Sequence, residues 1–238
     1  MLGLSLGASA VYSLVAIAGR LTREESLRDQ TATLNPSLSE RPVFDLIYQF
    51  LAIFFDLVPV VLAVFLLWRA VTPHLGRLGI DFRQPAKDTM RGLGLALAIG
   101  IPGLALYFAG RTAGITVNVV PVALDEHWWT IPILLLSAFR AGVTEEVRVI
   151  GYLFARLRDL GWGRWQIILG SAILRGTYHL YQGFGAFVGN LAMGILFGWL
   201  FDRFGRLLPL VIAHVVIDAA IFVGYPWAAA AFPSLFGF

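Results

Sequence analysis

The chain has 238 residues, 58% of them hydrophobic and only 14% charged, with a mean hydropathy of +0.76. A soluble domain carries about 25% charged residues, so this composition excludes an ordinary water-soluble fold, and the lack of cysteine excludes thiol nucleophiles, thiolate metal sites and disulfides. The net charge of +3 and pI near 9.5 do not indicate nucleic acid as a partner, because the arginines border apolar runs and form no stripe.

Residues 2–19 form a first apolar run. No basic residue precedes it and several follow, so it reads as a retained helix, not a signal peptide. Residues 22–42 are polar, broken at Asn35-Pro36 and Arg41-Pro42, and read as a loop. A second span covers 44–68 and contains Asp45, Asp56 and Pro59, with Asp56 a candidate cavity-lining residue. A basic loop follows over 69–91. The third span is predicted over 92–110, kinked at Pro102-Gly103, and the fourth over 128–154. Spans over 165–181, 184–201 and 207–223 complete seven, and the apolar tail to Phe238 reads as a short eighth span or an interfacial segment.

The expected fold is therefore all-α: one membrane domain over 1–238, a polytopic transmembrane bundle of about seven or eight helices enclosing a polar intramembrane cavity. Ten basic residues fall in the loops after spans two, four and six, against five on the other side. The positive-inside rule then puts those loops and the N-terminus in the cytoplasm. Lys87 is the lone lysine among abundant Arg, Ala and Gly, which hints at a GC-rich bacterial genome and a bacterial plasma membrane.

The fourth span carries Glu145 and Glu146, the fifth Arg175 and His179, the seventh His214 and Asp218. A charged group at bilayer depth costs about 2.5–3.5 kcal/mol on insertion scales, so such residues mark function by default. Residues four apart share a helix face, which aligns Arg175 with His179 and His214 with Asp218. Glu145 and Glu146 project about 100° apart, so one must find its partner elsewhere. A carboxylate beside two imidazoles can activate water as a general base. The same types, as Glu145, His179 and His214, can also hold Zn²⁺ or another divalent metal, and spacing alone does not choose. No His-Glu-x-x-His or Gly-x-Ser-x-Gly is present. Tyr178, Tyr181 and Gln182 beside His179 are candidates to line a substrate path. A structural alternative holds the glutamates at a helix end through Arg148 or Arg140.

Glu145-Glu146, Gly151-Tyr152-Leu153, His179 and His214-x-x-x-Asp218, in that order over about 128–223, resemble the CPBP intramembrane proteases, the CAAX prenyl protease-like or Abi family. The family pattern is Glu-Glu-x-x-x-Arg-Gly, Phe-x-x-x-His, then His-x-x-x-Asn. The resemblance implies an endopeptidase acting on a membrane-associated peptide. Glu145 would be the base, assisted by His179, with His214 the oxyanion or water ligand and Glu146 auxiliary. Asp218 falls where the family has Asn, Ile150 where it has Arg, and Arg175 where it has Phe. Arg175 is thus expected to supply Glu146 with the cation that position 150 lacks, Arg148 being a competing partner. Two other classes stay open: a proton-coupled transporter, and a catalytically silent immunity or binding protein on the same fold.

Overall fold

The structure, a computed structural model, describes residues 6–232. Lipid offers the backbone no hydrogen bonds, so the apolar runs fold as helices that satisfy their own. They are α1 (Leu6–Leu21), α2 (Pro42–Leu67), α3 (Pro85–Thr112), α4 (Thr130–Glu145), α5 (Phe154–Asp159), α6 (Arg164–Tyr178), α7 (Phe184–Phe204) and α8 (Leu208–Ala231). A π-helical stretch, Glu146–Leu153, joins α4 to α5 without a break, so these form one rod. The seven expected helical segments are all present.

Four helices are long and apolar enough to cross a membrane: Pro42–Leu67, Pro85–Thr112, Phe184–Phe204 and Leu208–Ala228. Helix α1 is apolar but has only 16 residues. α6, at 15 residues, rises about 22 Å. The polar side chains of α6 and of the α4–α5 rod lower their hydropathy, and those two carry the candidate site. Helix α3 starts at Pro85, inside the expected loop, because proline is pre-organised for a helix's first turn. Helix α8 continues to Ala231 and absorbs most of the expected tail; residues 233–238 lie outside the described set.

Large apolar side chains point outward along the membrane helices, among them Phe54, Phe55 and Phe65 of α2 and Leu97 and Ile101 of α3. In water this would be an aggregation hazard, whereas in lipid it is the solvated face. Exposed Trp68, Trp128, Trp165 and Trp227 stand at helix ends, where indole rings anchor to the membrane interface.

The two ends of the bundle differ. At one, the loops 68–84, 160–163 and 205–207 meet: Leu207 N donates to Leu78 O at 3.1 Å, and Arg77 pairs with Asp159 at 3.1 Å. There Arg206 bonds both Asp81 and the buried Asp88. Its hydrogen bond is the main cause that holds the Asp81 carboxyl below the usual aspartate value. At the other end, within the expected loop 22–42, β1 (Thr31–Thr33) pairs in parallel with β2 (Asn118–Val120). Asn35 Nδ2 adds a bond to Pro121 O at 2.8 Å.

Two glycines set the spacing of the helices that matter. A Cβ on Gly142 of α4 would fall 2.6 Å from Val215 Cγ2 and 3.1 Å from its backbone nitrogen, so α4 and α8 meet backbone to side chain. On Gly194 of α7 it would fall 2.9 Å from Ala172 Cα, which lets α6 settle against α7. These approaches carry His214 and Arg175 towards the end of α4.

Candidate active site

Glu145 and Glu146 stand at the α-to-π junction, and backbone i→i+5 bonding there widens the turn. Both acids reach one cation. Arg175 Nη2 forms an ion pair with Glu146 Oε1 and lies 3.7 Å from Glu145 Oε2. Nη2 alone faces both acids and hydrogen-bonds only Glu146, whereas Glu145 takes its hydrogen bond from another group, Tyr178.

Glu146 and Arg175 are fully buried. Glu146 Oε1 also meets His214 Nδ1 at 2.7 Å, so the acid sits between an arginine from α6 and an imidazole from α8. Arg175 lies over the Phe197 ring, its Cζ 5.6 Å from the centroid, a cation–π contact in a desolvated setting. Ile150, where the resembled family has arginine, belongs to the apolar cluster of Val147, Phe154 and Leu207.

Glu145 has a different environment. Its Oε2 accepts a 2.6 Å hydrogen bond from Tyr178 OH, and its Oε1 faces His179 Nε2 at 3.9 Å. Nδ1 of His179 sits 3.0 Å from Arg175 O, which fixes the ring so that Nε2 points at the acid. On α8, His214 Nε2 lies 3.6 Å from Asp218 Oδ2. The side chains of Glu145, His179 and Asp218 keep 15%, 17% and 19% of their surface, so the cluster opens on one side. Asp218, Tyr181 and Arg140 all lie from the cluster towards the end carrying β1 and β2, whereas Glu146 and Arg175 close its other side.

Arg148 and Arg140, offered as alternative holders of the glutamates, serve Asp56 of α2 instead. Arg148 donates to Thr144 O at 3.1 Å and to Asp56 Oδ1 at 3.0 Å, and Arg140 donates to Asp56 Oδ2 at 2.9 Å. Asn190 bonds Ala186 O on its own helix. His74 stacks on Trp68 and His127 on Trp129, both away from the cluster.

The sequence placed Tyr178 near the site but did not foresee its bond to Glu145. The signal was its spacing three after Arg175, which puts both on the α4 side of α6. Nor did it foresee the Asp56–Arg140–Arg148 cluster, whose members are separated by 84 and 92 residues.

A divalent metal held by Glu145, His179 and His214 does not fit this arrangement. Among the described residues no three His, Asp or Glu side chains are disposed around a common ion position. Glu146 occupies Nδ1 of His214, and the Arg175 guanidinium stands beside both acids, where it would repel a second cation.

A family model described as "Type II CAAX prenyl endopeptidase Rce1-like" matches residues 127–220, the stretch that holds every member of the cluster. No curated protein and no solved structure matches the chain.

Proposed function

We propose, from the similarity of residues 127–220 to the Rce1-like type II CAAX prenyl endopeptidases, that this chain is an intramembrane endopeptidase in which Glu145 activates water. The supporting observation is the asymmetry of the two acids. Glu146 is tied through Oε1 to Arg175 and His214 in a sealed interior, while Glu145 keeps one oxygen directed at His179 on the open side.

In this reading the attacking water bridges Glu145 Oε1 and His179 Nε2, whose 3.9 Å separation leaves each within reach of one oxygen between them. Glu145 takes a proton as the water oxygen bonds to the scissile carbonyl carbon. Tyr178 holds the carboxylate's other oxygen, so its orientation towards the water costs no reorganisation during the step. The tetrahedral oxyanion is met by His214, which in its doubly protonated form donates through Nδ1 to Glu146 and through Nε2 into the cavity. Asp218, a carboxylate where the family has an amide, stands 3.6 Å from the same Nε2 and favours the charged imidazole, while Glu146 at Nδ1 orients the ring. Glu145 then returns its proton to the departing amine as the C–N bond breaks.

The substrate is a membrane-associated peptide, taken in at the end of the bundle carrying β1 and β2. The arginine-rich end lies in the cytoplasm of a bacterial plasma membrane in this account, so the cavity opens away from it. Purified protein in liposomes, offered a library of lipid-anchored peptides, should release soluble fragments without conducting protons or solutes. Proton flux with no cleavage would instead make it a transporter, and peptide binding with neither would make it a silent receptor.

A further inference from the structure

The Asp56 cluster is the second group of charges at bilayer depth, and it is unbalanced. Asp56 sits inside α2 and accepts from two guanidiniums, Arg140 Nη1 at 2.9 Å and Arg148 Nη2 at 3.0 Å. One carboxylate faces two permanent cations, so the cluster carries an uncompensated positive charge. Arg148 is the structural member: it is buried and tied to Thr144 O as well.

Arg140 differs. Its side chain is 31% exposed, and its buried Nε makes no hydrogen bond to any described residue. Arg140 precedes Glu145 on α4 and so stands on the β1–β2 side of that acid, with its guanidinium partly exposed. Asp218 makes no ion pair with it within 4 Å and meets His214 instead. Arginine presents a planar fork of donors that matches a carboxylate in two-point geometry.

We propose that Arg140, braced by Asp56, is a substrate subsite that captures a carboxylate on the peptide, adjoining the bond that Glu145 hydrolyses. The proposal rests on the protease reading for the nature of the ligand. Arg140 stands five residues before Glu145 on α4, about 7.5 Å along the axis and about 140° round it, so at least about two residues of extended peptide lie between the two groups. The carboxylate is therefore a free C-terminus or an acidic side chain close to the scissile bond.

The test uses binding, so that it stands apart from catalysis. The full chain in nanodiscs is titrated with three lipid-anchored pentapeptides of one sequence: the free acid, the C-terminal amide, and the amide carrying a Glu side chain near its end. The native protein should bind a carboxylate-bearing peptide at least about tenfold more tightly than the plain amide, equivalent to about 1.4 kcal/mol. Which of the two acidic peptides gains identifies the source of the carboxylate. In Arg140→Gln the preference should fall below about twofold, and Arg140→Lys should restore part of it. Arg140→Gln leaves Asp56 and Arg148 as a balanced pair, so the variant keeps its fold. Equal binding of all three peptides by the native protein, or an undiminished preference in Arg140→Gln, overturns the proposal. Absence of cleavage beside a preserved preference would count against the hydrolase reading and leave the subsite standing.

Discussion

Arg175 of α6 and Glu146 at the start of the π-helical stretch form an ion pair across the helix interface, with neither side chain exposed to solvent. Removing one partner of a buried pair leaves the other charged and unsolvated, at about 3–5 kcal/mol. Arg175→Phe should therefore lose most of its folded fraction, as read by thermal unfolding in detergent. Adding Ile150→Arg restores a cation one turn from Glu146 but places it beside Val147 and Phe154, so recovery should be partial. An unaltered unfolding temperature in Arg175→Phe would show that Glu146 does not depend on this partner.

Tyr178 donates to Glu145 at 2.6 Å and is itself buried. A hydrogen bond to a charged acceptor contributes about 1.5–3 kcal/mol. Tyr178→Phe should lower kcat about ten- to a hundredfold while KM and the unfolding temperature change little. A change confined to KM would move Tyr178 from positioning the base to contacting the substrate.

Asp56 holds two arginines. Asp56→Asn strands both guanidiniums at bilayer depth, whereas Arg140→Gln leaves a neutral pair. The unfolding temperature in lipid should fall further in Asp56→Asn than in Arg140→Gln. The reverse order would contradict the charge count.

At the basic end, the Arg206 hydrogen bond holds Asp81 below its ordinary value of 3.8. A depressed folded-state value means that this contact stabilises the fold above pH 3.8 and is lost as pH falls through the lower folded value. The native protein should thus lose stability relative to Asp81→Asn on acidification below that point, with the gap closing at the acid extreme. Parallel pH curves for the two would remove Asp81 from the acid response.

Much of this was legible in the chain. The apolar runs announced the helices, because lipid leaves the backbone no alternative, and the polar residues that break those runs marked the candidate site. The i, i+4 rule placed Arg175 with His179 and His214 with Asp218. The compensating position of Arg175 opposite Ile150 follows from electroneutrality: Glu146 could not be buried alone. What stayed hidden depends on rotation and depth. A π-helical turn has no sequence periodicity of its own, so the sharing of one guanidinium by adjacent acids was not visible. Strands of three residues, β1 and β2, lack the length to show alternation. Asp56 and Arg140 meet only because α2 packs against α4, a contact that no local pattern encodes.

The central claim is that Glu145 takes the proton from the attacking water. Its most direct test is the initial rate of cleavage of a lipid-anchored peptide by native protein and by Glu145→Gln, both verified as folded in liposomes. General-base catalysis contributes about 10²–10⁴-fold, and a glutamine cannot accept the proton, so the variant should fall by at least a hundredfold. A Glu145→Gln protein that cleaves within tenfold of the native rate would contradict the account.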